Sequence, residues 1–79
     1  MAVTTDDIRR RMAEILEIPE ARATPDTVLT DLVSDSFRLV EMAIELQDDY
    51  DVIIGQSDMA DLRTVEQLAE LIRSRVAVP

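Results

Sequence analysis

Residues 36–50 read SFRLVEMAIELQDDY, and their apolar positions follow two helical stripes. The first stripe predicts the buried face of a helix from Ser36 to Tyr50. Its members step by four, three and four residues, with Met42 beside them: Leu39, Ala43, Leu46 and Tyr50. The second stripe, Phe37, Val40 and Ile44, lies on roughly the opposite side. A helix at the surface of a globular protein needs only one apolar stripe, so the second one requires an explanation.

Acidic residues surround the second stripe. Glu41, Glu45 and Asp48 are its neighbours on the predicted helix. An exposed apolar strip with a charged rim is typical of a binding surface. The alternative is a helix buried on most sides. We favour the binding surface, since Glu41 and Asp48 would oppose full burial.

The rest of the chain is also predicted to be helical. A first helix begins after Thr4 or Thr5, either of which can cap it, and ends before Pro19. Residues 17–35 form a long connection that we expect to pack through its apolar side chains Val28, Leu29, Leu32 and Val33.

Two shorter segments complete the predicted helices. A single helical turn fits residues 57–61, after the only glycine, Gly55. The last helix has the clearest start signal, because Thr64 and Gln67 match a capping box. Its buried stripe is predicted to contain Val65, Leu68, Ala69, Ile72 and Val76.

Composition limits the possible functions. The 79 residues predict one domain, 1–79, with a net charge of −9 and neither cysteine, histidine nor lysine. Neither a disulfide nor a zinc site is available. Residues 23–72 hold twelve acids and two arginines. Because nucleic acid and anionic membranes bind basic surfaces, they are unsuitable partners. A protein with a basic patch is favoured instead. We interpret Arg9-Arg10-Arg11 as a solvated patch without a function.

The triplet Asp35-Ser36-Phe37 stands where a polar loop meets the strongest helix. Ser34, Asp35 and Ser36 are residues that helix N-termini prefer, so capping alone can account for them. An exposed Ser36 hydroxyl would instead suit a phosphodiester, which the helix dipole and free N–H groups would favour. Ser36 is a poor catalytic nucleophile here, since no histidine or lysine can act as its base.

The acids elsewhere give no competing site. Many carboxylates are present, but nothing indicates a cleft that would raise the pKa of one of them for hydrolysis. Asp48, Asp49 and Asp51 lack the ligand spacing and the glycine of a calcium loop. We therefore expect no metal site and no enzyme activity.

With these residues in view, the chain resembles the acyl carrier proteins, the phosphopantetheine-bearing carriers of fatty acid and polyketide synthesis. The family motif Asp-Ser-Leu matches the triplet, with its serine at Ser36. The resemblance covers nearly the whole chain and is strongest in five stretches: 31–37, 40–41, 45–46, 48–51 and 64–68.

The resemblance implies an all-α fold, a small four-helix bundle with a long first loop and a short third helix. It implies that a phosphopantetheinyl transferase, using coenzyme A and Mg²⁺, attaches 4'-phosphopantetheine to Ser36, which Asp35 flanks. The arm's thiol would carry an acyl group as a thioester. The second helix would bind partner enzymes, with apolar contacts from Phe37, Val40 and Ile44 and with steering of basic partners by three acids: Asp35, Glu41 and Asp48.

Several positions depart from the common family pattern. Val33 replaces a usual glycine, Phe37 replaces leucine, Arg38 adds a positive charge, Gln47 removes a charge, and residues 53–56 lack a proline. These changes favour a free-standing carrier of polyketide or mixed polyketide–peptide metabolism over a housekeeping fatty acid carrier. We also expect the chain to be monomeric and cytoplasmic. An acyltransferase, ketosynthase or adenylating enzyme with a basic docking patch would be its partner.

Three alternatives remain open from the sequence. The first is an aminoacyl or peptidyl carrier loaded by an adenylating enzyme, and the second is a housekeeping fatty acid carrier. The third belongs to another class, an acidic helical interaction module without a prosthetic group.

Overall fold

A computed structural model describes residues 3–76, which form four α-helices. They are α1 (Thr5–Leu16), α2 (Ser36–Tyr50), α3 (Gln56–Asp61) and α4 (Val65–Arg75). Within these residues there is no strand, only one isolated antiparallel bridge between Val28 and Thr64. The predicted all-α bundle with a short third helix is confirmed; residues 1–2 and 77–79 of the predicted domain lie outside the described part. In residues 3–76, no helix combines the length and apolar character needed to cross a membrane.

Local signals at the chain's helix ends explain where α1 and α4 begin. The Thr4 hydroxyl accepts the Asp7 N–H at 3.1 Å, and the Asp7 carboxylate accepts the Thr4 N–H at 3.3 Å. Thr64 and Gln67 form the same reciprocal pair at the start of α4. Each pair satisfies N–H groups that a helix start leaves without partners. Both predicted starts are confirmed.

Helix α2 has the predicted bounds, Ser36–Tyr50. Asp35 caps it, with its carboxylate accepting the Phe37 N–H at 3.0 Å. Asp51 ends it in the left-handed region at φ 53°, a conformation that aspartate tolerates better than most residues other than glycine. The glycine-poor chain therefore ends its longest helix with an aspartate.

The long connection between α1 and α2 is held against the start of α4. It contains two 3-10 turns, Glu20–Arg22 and Leu29–Asp31. The Leu29 N–H donates to the Arg63 carbonyl at 2.8 Å, and the Val65 N–H donates to the Thr27 carbonyl at 2.9 Å. These bonds fix the loop that leads to Ser36.

Packing of the connection follows the prediction with one exception. Leu29 and Leu32 are buried and Val33 is half-buried, as expected. The prediction is wrong for Val28, because its side chain remains exposed. Its backbone takes part in the bridge to Thr64, which fixes its position without burying the side chain.

The core is aliphatic and contains no buried polar residue among those described. Helix α1 packs against α4 and α2. Burial of one such side chain contributes about 1.5–3 kcal/mol relative to exposure. The largest fully buried side chains come from all three long helices and the connection: Ile8, Met12, Leu32, Met42, Leu46, Val65, Leu68 and Ile72.

The arginine triplet on α1 is engaged, contrary to the expectation of a merely solvated patch. Arg9 pairs with Asp6 and donates to the Ala23 carbonyl at 3.1 Å. Arg11 pairs with Asp49 at 2.6 Å, which joins α1 to the C-terminal end of α2. Arg10 pairs with Glu20 of the first 3-10 turn at 3.2 Å. Apart from Asp6, these partners lie 10 to 38 residues away in sequence, so the triplet alone could not reveal them.

Candidate functional site

Ser36 is the first residue of α2, and its side chain is exposed. Within residues 3–76, its hydroxyl forms no hydrogen bond. The neighbouring Asp35 provides the cap, so Ser36 is not needed for that purpose. The serine hydroxyl is therefore free to bear a covalent group without disturbing the helix.

The N–H groups around Ser36 differ from the sequence expectation. The Asp35 carboxylate accepts the Phe37 N–H, and the Asp35 carbonyl accepts the Arg38 N–H, both at 3.0 Å. These two donors are thus already engaged. A phosphate on Ser36 would still benefit from the positive end of the α2 dipole, but not from the Phe37 N–H. The residues present fit a phosphodiester at this oxygen, because it is exposed, unbonded and at a helix N-terminus.

Catalytic alternatives find no support at this position. The chain has no histidine, lysine or cysteine to activate Ser36. Among the described residues, no group of three or more acidic side chains is arranged to hold a metal ion. Asp49, one of the acids considered earlier, is instead paired with Arg11. Ser36 therefore has an exposed hydroxyl with no histidine, lysine or cysteine beside it.

The second stripe of α2 is exposed as predicted. Phe37, Val40 and Ile44 expose 65%, 53% and 59% of their surfaces. The first stripe is turned inward, with Met42, Ala43 and Leu46 buried and Leu39 and Tyr50 half-buried. We call Phe37, Val40 and Ile44 the docking face; the four acids of its rim are exposed too: Asp35, Glu41, Glu45 and Asp48.

An apolar groove between α2 and α3 continues from the docking face. It has a volume of about 290 Å³, and its lining includes Val40, Ile44, Ile54 and Met59. The sequence did not indicate this groove, because the segment after Asp51 gave only one predicted helical turn, at residues 57–61, and no apolar stripe. The apolar residues on either side of Gly55 were its only signal.

A set of polar contacts fixes α3 beside this groove. Arg75 donates two hydrogen bonds to the Asp58 carboxylate, at 2.7 and 2.9 Å, and another to the Ile53 carbonyl at 2.8 Å. The Gly55 N–H also donates to Asp58, at 3.0 Å. The bonds from Arg75, and then that from Gly55, lower the pKa of Asp58 from 3.8 to about 2.

Comparison with known proteins connects this geometry to a family. A family model described as "Phosphopantetheine attachment site" matches residues 6–72. This range contains all of α2 and both Asp35 and Ser36.

The chain is also similar to curated proteins. It is 38% identical to the meromycolate extension acyl carrier protein of Mycobacterium leprae, over 92% of this chain and 68% of that protein. For the protein of the same name from Mycolicibacterium smegmatis, identity is 37%, over 92% and 79% of the two chains. The acyl carrier protein of Thermobifida fusca is 33% identical, over 92% of this chain and 99% of its own.

Proposed function

This chain belongs to the acyl carrier protein family, whose prosthetic group is covalent phosphopantetheine, and we propose that Ser36 is its attachment residue. The observation that carries the proposal is the state of the Ser36 side chain, exposed at the first position of α2 and without a hydrogen bond within residues 3–76. A phosphopantetheinyl transferase, with coenzyme A and Mg²⁺, would supply the catalytic groups that this chain lacks.

The role of the chain is then carriage rather than catalysis. When attached, the arm supplies a thiol on which an acyl group can be held as a thioester. The chain has no thiol of its own, since it contains no cysteine. Its residues hold the arm at the N-terminal end of α2, beside Asp35, and present α2 to the enzymes that load and unload it.

The docking face supports the partner side of the proposal. The exposed apolar surface begins beside Ser36 and continues along α2. Phe37 is adjacent to Ser36, and Val40 and Ile44 lie about one and two turns further along the helix. Asp35, Glu41 and Asp48 would attract a basic patch on an acyltransferase, ketosynthase or adenylating enzyme. Charged rims mainly accelerate encounter, whereas the apolar centre supplies most of the affinity.

The pathway is a finer proposal. Phe37, Arg38 and Gln47 give α2 a partner surface unlike the common family pattern, which favours polyketide-type metabolism. Meromycolate extension is the second candidate, and it is favoured by the names of the mycobacterial relatives. Comparing the rates at which ketosynthases of each type take the acyl group from the thioester of the modified, acylated protein onto their own cysteine distinguishes the two.

Intact mass spectrometry tests the attachment directly. After incubation with a transferase, coenzyme A and Mg²⁺, the mass should rise by one phosphopantetheine. Ser36→Ala should abolish the gain, whereas Ser34→Ala, at an exposed serine two residues earlier, should retain it. A gain that persists in Ser36→Ala would refute Ser36 as the attachment residue. No gain in the native chain would favour an interaction module without a prosthetic group.

A further inference from the structure

A cleft on the other side of α2 leads towards Ser36. It has a volume of about 730 Å³ and lies between the C-terminal end of α1, residues 30–35 and Arg38. We call it the loop cleft. The half-buried Ile18 and Val33 contribute apolar surface, and Ser34 and Asp35, which directly precede Ser36, also line the cleft. Its volume falls within the range of about 300–1,000 Å³ that is common for small-molecule sites.

Two arginines with unused donors line this cleft. Five of the eight arginines form ion pairs within residues 3–76, but Arg22, Arg38 and Arg63 do not. Arg22 and Arg38 both line the loop cleft. Each donates one long hydrogen bond of 3.4 Å to a backbone carbonyl, of Leu32 and Ile15 respectively. Since a guanidinium has five N–H donors, most of the donors of these two lining residues have no partner within residues 3–76.

The other polar groups define the charge of a suitable ligand. Glu17, Asp31 and Asp35 also line the cleft, so its carboxylates outnumber its guanidinium groups. An anion would therefore be repelled overall, whereas a neutral ligand with both donors and acceptors would find partners for each. Pantetheine is such a ligand, since its amides and hydroxyl offer carbonyl acceptors together with N–H and O–H donors.

We propose that the loop cleft is the resting site of the pantetheine part of the arm, with Arg22 and Arg38 donating hydrogen bonds to its amide carbonyls. This inference rests on attachment at Ser36. The phosphate stays at the N-terminal end of α2, and the neutral remainder of the arm lies along Ser34 and Asp35 into the cleft.

Arg38 is turned away from most of the docking face. At 3.6 residues per turn, it lies about 160° around the helix from Val40, about 120° from Ile44 and about 100° from Phe37. Asp35 belongs both to the rim of the docking face and to the lining of the cleft. An arm resting in the loop cleft therefore leaves Val40 and Ile44 free. A partner can bind α2 first and receive the arm afterwards.

Nuclear magnetic resonance of the apo and modified proteins tests this site. Intact mass first verifies that the ¹⁵N-labelled protein carries the arm. Attachment should then shift the side-chain Nε–H signals of Arg22 and Arg38 and the backbone amides of Thr30 and Val33. The Nε–H signal of Arg63, the third arginine without an ion pair, should not move.

A paramagnetic label gives a second measurement. The arm's thiol is the only thiol in the modified protein, because the chain has no cysteine, so a nitroxide can be attached to it selectively. Amides of Thr30 and Val33 should broaden more than those of Ile54 and Gly55. The double variant Arg22→Gln/Arg38→Gln should remove this difference, whereas Arg63→Gln should preserve it.

The possible failures are distinguishable. Absence of the mass gain would refute attachment at Ser36 and this proposal with it. If the mass gain occurs but the shifts and the broadening appear at Ile54 and Gly55, the loop cleft is refuted as the resting site while attachment at Ser36 stands. The same holds if the mass gain occurs and no amide shifts or broadens. Unchanged broadening in the Arg22→Gln/Arg38→Gln protein would show that these arginines do not hold the arm.

Discussion

Asp35 and Ser36 are adjacent, but the structure separates their tasks. Both residue types are common at helix starts, and from sequence either could have been the cap. The Asp35 carboxylate accepts the Phe37 N–H, which leaves the Ser36 hydroxyl unbonded within residues 3–76. Because the cap precedes the serine, modification of Ser36 need not destabilise α2.

This division of tasks predicts different effects for two substitutions of Asp35. Asp35→Ala removes the cap and should lower the free energy of unfolding by about 0.5–2 kcal/mol, as measured by urea denaturation. Asp35→Asn keeps an acceptor at the same position and should retain most of that stability. If the asparagine variant were as unstable as the alanine variant, the cap would depend on charge rather than on geometry.

At the scale of the element, α2 has one buried apolar face and one exposed apolar face, for which we propose a binding role. Leu46 is fully buried, and Leu46→Ala should reduce the free energy of unfolding by about 2–5 kcal/mol. Ile44→Ala, on the docking face, should change stability by less than about 1 kcal/mol but weaken binding to a loading enzyme severalfold.

Ile53 provides the matched control for the docking face. It is 82% exposed and lies outside α2, so Ile53→Ala removes the same apolar side chain from another surface. Calorimetric titration of the two alanine variants with the same enzyme compares them directly. Equal losses of affinity for Ile44→Ala and Ile53→Ala would contradict a docking face confined to α2.

The Asp58 carboxylate links α3 to Arg75 and Gly55, and its ionisation should make the stability of the fold depend on pH. The pKa of Asp58 is about 2 in the folded protein, against an ordinary 3.8. A lowered pKa means that the ionised form stabilises the fold, so its contribution is complete above about pH 4 and is lost as pH falls towards 2. Asp58→Asn should therefore be less stable than the native chain at pH 7, and the difference should shrink between about pH 4 and 2.

Thermal unfolding across this pH range measures the difference. Asp61→Asn is the control, because Asp61 is exposed on the same short helix and forms no ion pair in residues 3–76. Its stability relative to the native chain should not follow the same pH course. A constant gap for Asp58→Asn down to pH 2 would contradict the role given to the Asp58–Arg75 pair.

Local signals explain how far the sequence could predict these elements. The caps at Thr4 and Thr64 and the stripes of α2 depend on residues three or four positions apart, and they were identified correctly. The Arg11–Asp49 pair joins residues 38 positions apart. The loop cleft likewise combines α1, the connection and Arg38. Such features depend on the packing of distant segments, so no local pattern contains them.

At the scale of the whole molecule, the described fold is compact, but its longest dimension of 37 Å places some surfaces far from the site. The Cα radius of gyration is 11.5 Å, close to the value of about 12 Å for a compact chain of this length. Screening reduces interactions beyond about 8–10 Å at physiological salt. The position of a charge, rather than the net charge of −9 alone, should therefore determine how it affects a partner.

Charge reversal at two places tests this distinction. Glu41 lies in the rim of the docking face, and Glu41→Arg reverses its charge. Glu66→Arg changes the net charge by the same amount on α4. Glu66 is exposed and has no ion pair within residues 3–76. Glu41→Arg should slow association with a basic partner about tenfold or more at low salt and make the rate less sensitive to salt. Glu66→Arg should have a much smaller effect.

Stopped-flow association rates over a salt series measure the effect of both variants. Equal slowing by the two variants would mean that the net charge, and not the rim of the docking face, steers the encounter.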